Sequence, residues 1–303
     1  MQTFTTSSRN QTLPRPVKPL PNEVLAEYLA RLAKANGISR SRLEALLTRR
    51  GPTMRAALCK SVSMSDRAVA FALPELRVPA DWTIYPQLHR REVESIGPGC
   101  PHCASRHGER ITFPQVWSTH DHVFCGVHSL WLNGTAFRVD ATRPVTKVIG
   151  ASRADILLAH RRHQRLIHSH GRASIRQAIS DAYEVVEHWN YWQPLEAVSF
   201  RLAELEPDET QRGSGTACRN AAMYPEIVRL ATALSDPSWK SRLLAESRAE
   251  RGKSLLDLFE LVIDGHVPYR AADPLYEWRL RQLAALDTDS RRDATTKGEG
   301  GPR

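Results

Sequence analysis

Cys100-Pro101-His102-Cys103 and Cys125-Gly126-Val127-His128 decide how this chain is read. Together they spell C-x2-C-x21-C-x2-H, and they hold three of the five cysteines. A tetrahedral metal site takes four soft or borderline ligands, and two tight knuckles of two ligands each provide them. Cys100, Cys103, Cys125 and His128 are therefore the expected ligands of one structural Zn²⁺. His102, His107, His120 and His122 lie nearby, but the two-residue gap from Cys125 favours His128. Three cysteines and a histidine close the shell and leave no position for a reactive water. A lone C-x-x-C can be a redox pair, but here a second knuckle answers the first.

The segment around the knuckles, residues 99–135, has few apolar side chains: Phe113, Val116, Trp117, Val123, Phe124, Leu130, Trp131 and Leu132. A core that small rarely holds a fold alone. A structural zinc ion contributes about 10–16 kcal/mol in such modules. The expectation is a small zinc finger that unfolds without its ion.

Working outward toward the N-terminus, residues 1–21 are rich in Pro, Ser, Thr and Asn, which reads as a disordered leader. Residues 22–98 read as a helical region. Asn22 is a plausible N-cap, and Val24, Leu25, Tyr28, Leu29 and Leu32 recur at helical spacing. Asn36-Gly37 ends that helix. Ser39 or Ser41 starts the next, Ser41-x-x-Glu44 has the form of a capping box, and Leu43, Leu46 and Leu47 make its buried face. Gly51-Pro52 ends it, and a third helix is expected from Ser65 to Leu73. Helix, short turn, helix is a helix-turn-helix pattern. Arg40, Arg42, Arg49 and Arg50 lie on the second helix, with Arg55 just beyond. Such a helix either meets DNA with its arginines or packs against protein.

Beyond the finger, residues 136–285 read as a helical C-terminal domain. Phe137-Arg138-Val139 alternates as a short strand would. From Arg153 the pattern is helical, with Arg161, Arg162 and Arg165 opposite the apolar face. These arginines suit a solvated or phosphate-facing helix. His160 and His163 share a face, but no thiol or carboxylate of suitable spacing joins them. Further helices are expected over 174–190, 194–205, 221–234, 240–250, 254–263 and 274–285, with Pro225 in the first turn of its helix. Trp189 and Trp192 read as a packing core. Residues 286–303 read as a disordered tail. The fold class is thus mainly α: a helix-turn-helix-like unit, a zinc-stapled finger and a C-terminal helical domain.

The net charge is +9, unevenly spread. Residues 1–98 carry fifteen Lys and Arg against eight Asp and Glu, and residues 99–177 carry eleven against four. Residues 178–303 reverse this, with sixteen against twenty-one. A basic surface is the footprint of a polyanion, here DNA. No apolar run approaches the roughly 18 residues of a membrane span, and the N-terminus has no apolar signal core. Few cysteines, mostly in knuckles, fit a reducing compartment, and the localisation read from the sequence is cytoplasmic. Cys59 and Cys218 read as ordinary buried thiols. There is no P-loop, no H-E-x-x-H and no nucleophile elbow, and nothing in the sequence argues for an enzyme.

Four stretches resemble the TniQ family, accessory factors of bacterial DNA transposition: Leu20-Pro21-Asn22-Glu23-Val24-Leu25-Ala26-Glu27-Tyr28-Leu29-Ala30-Arg31-Leu32-Ala33; Cys100-Pro101-His102-Cys103; Cys125-Gly126-Val127-His128-Ser129-Leu130-Trp131-Leu132; and Ala159-His160-Arg161-Arg162-His163-Gln164-Arg165-Leu166. The resemblance covers roughly residues 18–170. Where many relatives carry another C-x-x-C, this chain has Asn133-Gly134-Thr135-Ala136-Phe137, which implies one zinc and a reduced finger. The resemblance implies a non-catalytic role in target-site selection beside a DDE transposase and an AAA+ ATPase, with a homodimer as in RNA-guided relatives. Two other readings compete: a stand-alone zinc-dependent transcriptional regulator, and an adaptor that meets only protein.

Overall fold

The computed structural model describes residues 12–84, 95–105, 114–132, 146–205, 215–239, 241 and 273–284. The chain forms two compact units, Met1–Val145 and Thr146–Arg303. Both are mainly helical.

The first unit opens with α1 (Leu25–Ala35), α2 (Arg40–Arg50), α3 (Met54–Val62) and α4 (Asp66–Ala72). A 3-10 turn (Pro74–Leu76) and α5 (Pro79–Ile84) follow. Tyr28, Leu29 and Leu32 recur at helical spacing on α1 and close over Leu43, Leu47, Leu58 and Leu73 to make the core. Leu46, expected on the buried face of α2, is half-buried. Three short hydroxyl side chains cap three successive helices. Ser39 accepts from the Arg42 amide, Thr53 from Ala56 and Ser65 from Ala68. Ser41 is not the cap of α2, because the helix already begins at Arg40 with Ser39 as its cap, and Glu44 is held by Arg40. Gly51 is required by a close approach: a Cβ there would lie 2.8 Å from the Ala57 nitrogen.

Two features of this region depart from the expectations above. Helix α3 is the first. Its sequence, MRAALCKSV, follows Gly-Pro and carries no long apolar period, yet Ala57, Leu58 and Val62 are buried. The second is the start of α1. Asn22 is left-handed, at φ 59°, and Val24 occupies the N-cap position without a side-chain cap. The Glu75 carboxylate serves instead, accepting from the Leu25 amide at 3.1 and 3.2 Å. A carboxylate 50 residues away thus meets the positive end of α1.

The expected leader is ordered in its second half. Leu13 and Leu20 are buried. The Leu13 amide donates to the Ser61 carbonyl at 2.8 Å, and Tyr28 Oη donates to the Val17 carbonyl at 2.9 Å. The prolines keep the strap extended while its two leucines enter the core.

The finger begins before residue 99. Strand β1 (Ser95–Pro98) pairs antiparallel with β2 (Gln115–Ser118), in register Ser95↔Ser118 to Pro98↔Gln115. Residues 95–98 therefore belong to a sheet and not to the helical region assigned over 22–98. A short helix, α6 (Pro101–Ser105), carries the first knuckle. Strands β3 (Phe124–Cys125) and β4 (Leu130–Trp131) form a hairpin around the second.

The second unit contains α7 (Gly150–His170), α8 (Arg172–Trp192), α9 (Glu196–Leu205) and α10 (Gly215–Ser235). A further helix, α11, spans 274–284. Helix α10 is buried almost all round from Ala217 to Leu234, apart from the exposed Arg219 and Arg229 and the half-buried Thr232, and α7, α8 and α9 pack against it. Pro225 lies in the middle of α10 rather than in its first turn, because the helix begins at Gly215. Proline removes one helical hydrogen bond there. One turn away, Arg201 Nε donates to the Ala222 carbonyl at 2.7 Å. Arg201 also pairs with Glu226, and both are 2% exposed.

Trp189 is buried, and its indole donates to Asp273 at 2.8 Å. Trp192, expected beside it in the core, is 50% exposed, because it falls at the last residue of α8. The expected strand 137–139 and helices 240–250 and 254–263 lie outside the described residues. None of the described helices is long and apolar enough to cross a membrane.

Candidate metal centre and basic faces

The four expected ligands converge. Cys100, Cys103, Cys125 and His128 each offer one ligand atom, and all four atoms lie within 4.8 Å of one another. Four of the distances between them match the edges of a tetrahedral site. Cys103 Sγ and Cys125 Sγ are 3.8 Å apart. His128 Nδ1 is 3.4 Å from Cys100 Sγ, 3.3 Å from Cys103 Sγ and 3.6 Å from Cys125 Sγ. Around one ion with M–S bonds of about 2.3 Å and M–N bonds of about 2.0–2.1 Å, tetrahedral edges are about 3.8 Å for S–S and about 3.6 Å for S–N. The cluster can hold one metal ion.

Local structure sets this geometry. The first knuckle lies at the start of α6, where the Cys103 amide points back to Cys100 Sγ at 3.4 Å. In the second, Ser129 takes a left-handed conformation at φ 53°, and the β3–β4 hairpin returns His128 toward Cys125. Cys100, Cys125, Leu130 and Leu132 form the small core beneath. Burial raises the Cys100 thiol above its ordinary value. Burial first, then the neighbouring Cys125 and Cys100, pushes the Cys103 thiol up to about 12. A dication at the centre would reverse that balance. Of the alternative histidines, His102 is exposed, with its ring centroid 5.3 Å from that of His128. His120 is buried, and His107 lies outside the described residues.

The metal centre is tied to the helical part of the same unit. Residues 22–24 run beside β2 as a short edge, with Glu23 bridged to Val116. The Trp117 amide donates to the Asn22 carbonyl at 2.7 Å, and the Val24 amide to the Gln115 carbonyl at 3.2 Å. Glu23 is 2% exposed. Its carboxylate takes two hydrogen bonds of 2.8 Å from Arg31 and one of 2.8 Å from the Leu20 amide. The opening motif and the β1–β2 pair that leads into the first knuckle, far apart in sequence, thus meet on one small sheet. Nothing in the local sequence of residues 22–24 marked them as strand-like.

The four arginines of α2 divide into distinct environments. Arg42 and Arg49 are exposed on one face, and their guanidinium groups have no partner among the described residues. Ser41, Ala45 and Thr48, all small, lie between and beside them. Arg40 is exposed and paired with Glu44 at 2.8 Å. Arg50 is half-buried and donates to Ser61 Oγ at 3.1 Å, so it ties α2 to α3 instead of facing outward. Arg55 is also internal. It bridges Asp66 and, at 2.5 Å, Asp81. Burial alone would raise the Asp81 carboxyl. Hydrogen bonds from Arg55 and the Val78 amide, with the charges of Arg55 and Arg77, outweigh that and hold it below its ordinary range.

In the second unit, Arg161, Arg162 and Arg165 are exposed on α7. His163 faces the opposite way. It is fully buried and bonded through Nδ1 to Tyr224 Oη at 2.9 Å, so it serves packing and not a second metal site with His160.

Comparison of the chain with family models, with curated proteins and with solved structures finds no match.

Proposed function

We propose that this chain is a non-catalytic, zinc-containing accessory protein of DNA transposition of the TniQ type, which binds DNA through the outer face of α2 and helps select the target site. The single observation that carries the reading is the convergence of Cys100, Cys103, Cys125 and His128 in a finger whose strand β2 is hydrogen-bonded to the residues at the mouth of α1. A closed shell of three thiols and one imidazole suits Zn²⁺ in a structural role. It fixes the start of the helical unit that presents α2. The TniQ assignment rests on the four sequence stretches quoted above. A transposase, an ATPase and a second copy of this chain enter as partners through that resemblance alone.

Arg42 and Arg49 are seven residues apart, about 10.5 Å along the helix axis, with small residues between. Such a face can approach a duplex closely and put one guanidinium on each side of its contact. The test is fluorescence anisotropy with random duplex DNA across a salt series, on protein whose zinc content has been measured. One zinc per chain is expected, with log K falling linearly in log salt. Replacing Arg42 and Arg49 by Ala should flatten that slope by about 1.8, at about 0.9 per phosphate contact. Zinc-loaded protein that binds no DNA at low salt would sink this reading in favour of an adaptor that meets only protein.

A further inference from the structure

The geometry points to a second polynucleotide-backbone site, in the other unit: a clamp made by Arg161, Arg162 and Arg165 of α7 and Arg229 of α10. It rests on the nucleic-acid reading above but on none of the same residues.

The charge distribution is the first observation. Residues 146–177 hold Lys147, Arg153, Arg161, Arg162, Arg165, Arg172 and Arg176 against one acid, Asp155, a net of +6. The remainder of the unit, residues 178–303, has a net of −5. The excess positive charge therefore lies along α7 and the first turns of α8.

The second observation is how these arginines are used. Ser152, Ile156, Ala159, His163 and Leu166 are buried on one side of α7. Arg161 and Arg165 project from the opposite side, one turn or about 6 Å apart. All three of Arg161, Arg162 and Arg165 are exposed, and none has a hydrogen bond or ion pair among the described residues. Asp155, the acid of this helix, is taken by Arg201 at 3.3 Å. Nothing among the described residues explains three adjacent guanidinium groups.

The third observation is a hollow of about 40 Å³ between α7 and α10, beside Pro225 in the middle of the helix. Arg162 and Arg229 stand on its two walls, with Leu158, Ala159, Pro225 and Val228 between them. It is far below the 300–1,000 Å³ of small-molecule pockets. The ligand is therefore a surface polyanion that lays one phosphate between the two helices and further phosphates along Arg161 and Arg165. Asp155 and Glu226 are the acids beside the hollow; both face Arg201, and Glu226 Oε1 also lies 4.0 Å from Arg229. Leu158, 59% exposed, offers a single apolar contact, too little to anchor a lipid surface.

The test compares the full-length wild type with the triple variant Arg161→Ala/Arg162→Ala/Arg165→Ala and with Arg42→Ala/Arg49→Ala. Each is titrated with 30-base-pair duplex DNA, the equivalent duplex RNA and anionic lipid vesicles across a salt series. Circular dichroism checks that each variant folds. The triple variant should keep its fold and flatten the salt slope by about 2–3, at about 0.9 per phosphate. Its affinity at moderate salt should fall at least tenfold. The duplex that loses most with the triple variant identifies the natural polynucleotide. An unchanged slope and affinity in the triple variant, with loss in the α2 variant, would overturn this inference alone. Loss in the triple variant with none in the α2 variant would uphold it and overturn the α2 reading. Loss of vesicle binding without loss of either duplex would also overturn it.

Discussion

Removing the metal should unfold the finger and loosen α1 at one end while leaving the rest of the helical core closed. The finger's own core consists of Cys100, Cys125, Leu130 and Leu132, too small to stand without an ion whose binding contributes about 10–16 kcal/mol in such modules. Its connection to the helices along the 22–24 edge consists of two backbone hydrogen bonds, Trp117 to Asn22 and Val24 to Gln115. At about 1 kcal/mol each, their loss makes local opening there easier by about 2 kcal/mol. That is about a 30-fold faster exchange of the Val24 amide. Hydrogen exchange with and without a strong chelator reads this directly. Amides over 95–105 and 114–132 should reach the rate of an unfolded chain, Val24 should exchange about 30-fold faster, and Leu43 and Leu58 should change little. Protection of residues 95–132 that survives full metal removal would refute the staple. Equal loss across α1 to α4 would refute the separation of finger from helical core.

Two further outcomes follow from buried ion pairs. Arg201→Ala leaves Glu226 buried and the Ala222 carbonyl without its donor, and should cost about 3–5 kcal/mol in urea unfolding of the second unit. The double variant Arg201→Met/Glu226→Leu should recover most of that loss, and a double variant as unstable as the single one would contradict the argument. Asp81 is held below its ordinary range, so its contribution to stability is present above about pH 4 and disappears as pH falls through its depressed value. Denaturation midpoints from pH 7 down to pH 2.5 should therefore fall more steeply for wild type than for Asp81→Asn, and parallel curves would show that the Arg55–Asp81 pair is not the cause.

The ligand set was legible in the sequence because a tetrahedral site constrains spacing so tightly. Helices α1 and α2 were legible because Tyr28, Leu29 and Leu32, and then Leu43 and Leu47, repeat at helical period between breakers. What stayed hidden was non-local. The pairing of Ser95–Pro98 with Gln115–Ser118 depends on partners 17 to 23 residues apart, and four residues carry too little period to announce a strand. Glu23 carried no signal of its own in the sequence, and only the fold brings Arg31, Leu20 and Val116 around it. Pro225 read as a helix beginning because its local preference is for a first turn. Burial of α10 on nearly all sides overrides that preference. The arginines of α2 looked alike in sequence, yet Arg50 is spent on Ser61 while Arg42 and Arg49 are left outward.

The proline-rich strap before α1 bears on where this protein can be cut. A boundary drawn at residue 22, where composition changes from loop-like to helical, would look natural for excising a minimal domain. It would take Leu13 and Leu20 out of the core, strip Tyr28 Oη of the Val17 carbonyl and remove the Leu20 amide from Glu23. Two buried leucines alone represent about 3–6 kcal/mol of apolar burial, comparable with the whole stability of a small domain. The smallest piece that folds as the first unit therefore begins at or before residue 12, outside the region where helical periodicity starts.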